Sequence, residues 1–239
     1  MQSTPTSARA RLVIWHLTDS ALPTGGFAHS AGMETYVQRG DIDDPETFAH
    51  WLKGYLYQAS FNDALAARFA VQLQEAGLQE AEAVVKLAEL DALCHATQTP
   101  KQVRAAMQSM GKRMAKVASI VQPNDALVAE YARGLAAREY KGNPGIAAGL
   151  VLAAVGVDQH MAVESYLMQL STSMVQNAIR AIPLGQDAGQ RILVNSYEHI
   201  ARCADLTMEH TIQDLGVAAP NLEIAQMEHE LLYSRMFMS

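Results

Sequence analysis

Residues 161–191 read MAVESYLMQLSTSMVQNAIRAIPLGQDAGQR, and this stretch decides the fold. Met161, Val163, Leu167, Leu170, Met174, Ala178 and Ala181 fall within one stripe at 3.6 residues per turn, with further apolar side chains on both sides. Up to Ala181 the only charges are Glu164 and Arg180. A helix that long and that poorly charged belongs at the centre of a bundle, and Pro183 stops it and turns the chain into Gly185–Arg191. Beside the stripe lie Gln169, Ser173, Gln176 and Asn177, uncharged groups that must find partners or water if buried. They line a wet passage, a subunit interface or a satisfied network inside the monomer.

Working outward toward the N-terminus, residues 1–8 read as a disordered leader and Arg9–Thr18 as a short helix. In Asp19–Phe27, Pro23 biases Leu22 away from helical angles and the pair Gly25-Gly26 permits a tight backbone, so the segment reads as a structured turn. Phe27–Arg39 reads as a second helix ended by Gly40. Asp44-Pro45 opens a third with a cap and a proline at its first position. Asn62-Asp63 marks a break before a helix running to Gly77, and Glu80–Ala96 is the next. After Thr99-Pro100, Val103, Met107, Met110, Met114, Val117 and Val121 form one stripe, with Lys101, Arg104, Lys112, Arg113 and Lys116 on the opposite side. That basic face is either solvated surface or a docking face.

Asn124–Glu139 reads as a helix capped by Asn124. Gly145 and Gly149, four apart in the next helix, predict close approach to a neighbour. Beyond the central helix the pattern predicts one helix over Gln190–His210, an irregular stretch over Thr211–Asn221, a last helix over Leu222–Leu232 and a tail, residues 233–239. No segment alternates with period two, so the expected fold is all-α. It is a single-domain bundle, residues 9–232, of roughly eight to ten helices around the helix at about 161–181.

The 239 residues suffice for one core without disulfides, and two cysteines, Cys94 and Cys203, fit a reducing cytoplasm. A formal charge of −7 repels a phosphate backbone, which argues against nucleic acid. The longest uncharged run, residues 142–157, is too short to span a bilayer.

The chemistry-bearing motifs are few. Gly111-Lys112 is followed by Arg113 and lacks the spacing of a phosphate loop, and no nucleophile elbow occurs, so no catalytic residue is assigned. His199 and Cys203 stand one helical turn apart and offer imidazole and thiolate to a borderline-soft ion. They make half a site; the plainer reading is a core histidine beside a buried thiol.

The motifs together resemble one family. Residues 19–34, DSALPTGGFAHSAGME, are similar to the first signature of the urease accessory protein UreF family. Residues 182–190, IPLGQDAGQ, resemble its second, and Glu228-His229-Glu230 with residues 233–237, YSRMF, resembles its C-terminal region. Asn143 stands where many members carry histidine before the proline. The resemblance implies an all-helical, dimeric, cytoplasmic chaperone, without catalytic activity or cofactor of its own, needed for nickel insertion into apo-urease. It implies a bridge between the scaffold protein UreD (UreH) and the GTPase UreG, whose nucleotide turnover it controls. Carried over by position, Tyr233, Ser234, Arg235 and Phe237 contact UreD. Pro23, Gly25, Gly26 and Phe27 form either a rigid turn or a partner contact. Two alternatives stay open: a metallochaperone binding nickel through His199 and Cys203, and a GTPase-activating protein that donates an arginine.

Overall fold

The computed structural model describes residues 6–239 and is all-helical over them, with no strand. Most of the expected leader at 1–8 lies outside the described residues. Its last two positions belong to the first helix, because the Ser7 hydroxyl accepts from the Ala10 N–H and caps α1, Ala8–Thr18.

Among the described residues twelve α-helices follow one another, close to the expected number. After α1 come α2 (Met33–Arg39), α3 (Pro45–Ala59), α4 (Asp63–Glu75), α5 (Glu80–Thr97) and α6 (Lys101–Val121). Then follow α7 (Ala126–Ala136), α8 (Pro144–Ala154), α9 (Gln159–Ala181), α10 (Gln186–Asn195), α11 (Tyr197–Glu209) and α12 (Pro220–Glu228).

The differences from the sequence pattern have local causes. The expected helix over Phe27–Arg39 is interrupted, because Ala31 and Gly32 take φ of 52° and 88°, in the left-handed region that ends a right-handed helix. The helix expected over Gln190–His210 breaks at Ser196, whose hydroxyl accepts no cap bond and instead donates to the Ile192 carbonyl. Asp125, not Asn124, caps α7, its carboxylate accepting from the Val128 N–H. Asn143 is itself a cap, its amide oxygen accepting from the Ile146 N–H at the start of α8.

The central position of α9 is borne out: it packs against α1, α3, α4, α8, α10 and α11. Its stripe is narrower than expected, since Met161 in the first turn is exposed while Val163, Leu167, Met174 and Ala178 are buried. The most enclosed helix is α8, in which every residue from Pro144 to Leu152 is buried. The expected glycine contact lies between α8 and α4. A Cβ on Gly145 would stand 2.3 Å from the Asp63 carbonyl oxygen and one on Gly149 2.2 Å from that of Ala67, so the two backbones touch. Among the described residues, no helix is long and apolar enough to cross a membrane.

Candidate partner-docking site

The first signature turn, the C-terminal end of α9 and the tail converge on one side of the molecule. Gly25, with φ of 87°, lets the chain turn into a single 3-10 turn over Gly26–Ala28. Thr24 is buried beneath the turn, whereas Pro23 and Phe27 project outward, Phe27 at 61 % exposure.

The tail is docked rather than loose. Its Met238 N–H donates to the Ala28 carbonyl at 2.7 Å, and the Ser30 hydroxyl donates to the Ser239 main-chain oxygen at 2.8 Å. Glu34, buried in α2, accepts from the Met236 N–H at 2.5 Å and the Phe237 N–H at 3.1 Å. The same carboxylate meets His229 Nε2 at 2.8 Å, and His229 Nδ1 meets Gln102 Oε1 on α6 at 2.8 Å. One buried acid thus joins α2, the chain after α12, and the tail. Nearby, burial holds the His29 imidazole below its ordinary range, an effect reinforced by the charge of His229.

Arg180 closes the arrangement from the other side. Its guanidinium donates to the Phe27 carbonyl and to Asn177 Oδ1, and lies over the Phe237 ring at 4.9 Å. Asn177 is fully buried, and its amide donates to the His29 carbonyl at 2.7 Å. Turn, central helix and tail are therefore one rigid unit.

Between this unit and α6 runs a surface groove of about 450 Å³ whose walls include Pro23, Phe27, Ser109, Arg113 and Met238. Arg113 brings the basic face of α6 to the rim. Arg104, by contrast, is committed to the Gln98 and Thr99 carbonyls. Behind the groove lies a cavity of about 50 Å³ that shares Thr24, His29 and Ala106 with it. Gln169 and Ser173 line this cavity together with Met107, Met110 and Met114, and it is large enough for ordered water.

The sequence-predicted residues thus separate by role. Pro23, Phe27, Tyr233, Ser234 and Arg235 are exposed, Tyr233 completely so, while Gly25 and Gly26 shape the turn. Phe237, expected to contact UreD with them, has its ring buried against Arg180, where it anchors the tail. Of the polar flank, Gln169 and Ser173 face the cavity, Asn177 holds the turn and Gln176 is half-buried. Glu34 and Arg180 carry roles that the sequence did not assign. Arg180 had a signal, as one of two charges on a long apolar helix.

His199 and Cys203 are brought together, Sγ to Nε2 at 3.5 Å, but Nε2 also faces the Lys53 carbonyl at 2.9 Å and must carry a proton to donate to it. Burial pushes the Cys203 thiol up to about 11. His210 lies beyond the end of α11 and stacks on Phe61. Among the described residues, no group of three or more His, Cys, Asp or Glu side chains is placed to hold a metal ion.

A family model described as UreF matches residues 42–197, well over half of the chain. The urease accessory protein UreF of Arthrobacter sp. (strain FB24) is 41% identical over 230 residues, covering 96% of this chain and 97% of that protein. The urease accessory protein UreF of Paenarthrobacter aurescens (strain TC1) is 40% identical, over 98% and 100% of the two chains. That of Corynebacterium efficiens is 38% identical, over 95% and 96%.

Proposed function

The chain belongs to the UreF family of urease accessory proteins, and from that premise we propose that it is a non-enzymatic assembly factor joining the scaffold protein UreD to the GTPase UreG during nickel insertion into apo-urease. The observation that carries this reading is the ordered display of apolar groups around the groove. Phe27, Met236 and Met238 are each more than half exposed, yet their backbone is held by Arg180, Glu34 and the Ala28 carbonyl respectively. Exposed apolar groups on rigid backbone bind a partner without the cost of ordering a loop.

Tyr233, Ser234 and Arg235 present the contact for UreD, and Phe237 acts by anchoring them. The basic face of α6, with Arg113 at the groove, complements an acidic surface on UreG. Through this contact the chain times nucleotide turnover rather than donating a catalytic arginine; Arg180, beside the groove, is spent on Phe27, Asn177 and Phe237. It works in the cytoplasm as a homodimer. Gln169 and Ser173 line a hydrated passage for the metal, a reading favoured over the dimer contact because both side chains face a cavity.

Urease activation in cells producing apo-urease, UreD, UreG and this chain tests the proposal. Substituting Phe27→Asp should abolish activation together with co-purification of a partner. Ser173→Leu, which fills the cavity, should lower activation while the complex still forms. Full activation by both variants would reject it.

A further inference from the structure

A second cavity lies where the end of α3, the start of α4, α12 and the loop between α5 and α6 meet. It measures about 50 Å³, and Gln58, Asp63, Glu223 and Gln226 line it. Asp63 is 6 % exposed, and its Oδ1 has no hydrogen-bond partner among the described residues. The ion pairs of the described residues all lie elsewhere.

The two glutamines have their amide hydrogens turned to the main chain: Gln58 Nε2 donates to the Val217 carbonyl and Gln226 Nε2 to that of Ala31 at 3.2 Å. A carbonyl oxygen cannot donate, so the amide end that faces it is the NH2 group, which leaves Oε1 of each as a remaining acceptor. Glu223 uses one oxygen to accept from the Ala219 N–H at 3.1 Å and keeps the other. Arg104, which reaches back to the adjoining loop, spends its guanidinium on the Gln98 and Thr99 carbonyls. Two carboxylate and two carboxamide side chains therefore line one small chamber. A water molecule supplies two hydrogens, too few for that set, and carries no charge to offset two acids.

We propose that this chamber is a binding site for a hydrated divalent cation, held by Asp63 and Glu223 with Gln58 Oε1 and Gln226 Oε1 as neutral oxygen ligands. An all-oxygen set selects a hard ion such as magnesium or manganese, and the volume leaves room for the ion with part of its water shell. The site stands apart from the docking groove and from the His199–Cys203 pair.

The test is titration of the full chain with manganese chloride at pH 7.5, following free Mn²⁺ by electron paramagnetic resonance. One Mn²⁺ per chain is expected, displaced by magnesium chloride. Asp63→Asn and Glu223→Gln should each weaken binding by no less than about tenfold, the effect that even outer-shell changes produce. A manganese-dependent rise in melting temperature, present in the wild type and lost in Glu223→Gln, gives a second readout if the Asp63 variant misfolds. Absence of Mn²⁺ binding by the wild-type chain, or binding unchanged in both variants, overturns the proposal.

Discussion

Glu34 Oε2 and His229 Nε2 meet at 2.8 Å with both side chains buried, and the same carboxylate receives two tail amides. Removing the carboxylate leaves the buried imidazole and the two tail amides without their acceptor. Glu34→Ala should therefore cost about 1–3 kcal/mol for each group left unsatisfied. It should also release Met236 and Phe237 to rapid amide hydrogen exchange, whereas Glu34→Gln, which keeps an acceptor, should retain part of that protection. Chemical denaturation and exchange on the two variants check both parts.

Arg180 is exposed, although the Phe237 ring beneath it is buried, so Arg180→Ala should change global stability by only about 1 kcal/mol. Its local effect should be larger. Amide exchange at Phe27 and Phe237 should rise in Arg180→Ala while exchange in α4 and α8 stays as in the wild type.

Gly149→Ala should destabilise the fold by about 1–3 kcal/mol, because the new methyl carbon would stand 2.2 Å from the Ala67 carbonyl and force α8 off α4. Gly54→Ala is the control: nothing lies within 4 Å of its Cβ, and it should stabilise α3 by up to about 1 kcal/mol. Urea midpoints at constant m-value separate the two.

Burial pushes the Asp63 carboxyl up to about 6 from an ordinary value of 3.8, opposed in part by the Asn143 amide. The folded state thus binds this proton more tightly than the unfolded state. The stability linked to it is fully present below pH 3.8 and is lost as pH rises through 6. Above that window the ionised, buried group costs about 3 kcal/mol. With a chelator present, Asp63→Asn should stabilise the chain by about that amount at pH 8 and by almost nothing at pH 3.5, as read from denaturation curves at the two values.

The helical class and the central place of α9 were legible because apolar spacing depends only on which residues face the core. Pro45 and Asp44 marked the start of α3 for a similarly local reason, and Gly145 with Gly149 announced a close helix contact. The break at Ser196 was not legible, since no proline or glycine marks it. Nor was the docking of the tail: Glu34 and Met236 are far apart in the chain, and nothing local to either shows that a buried acid awaits two amides. The signature residues around Phe27 could be read from resemblance, but the roles of Arg180 and Phe237 depend on three segments meeting. Phe237 in particular reads as a surface aromatic until its ring is seen under the guanidinium.

The most direct test of the assembly role is the mass, by size-exclusion chromatography with light scattering, of the particle formed when the chain is co-expressed with UreD and UreG. A single particle containing all three is expected, with UreD lost on deletion of residues 233–239 and UreG lost on reversing the charge of the α6 face at Lys112 and Arg113. Formation of a UreD–UreG particle of the same stability without this chain, or an unchanged three-part particle with both alterations, would contradict it.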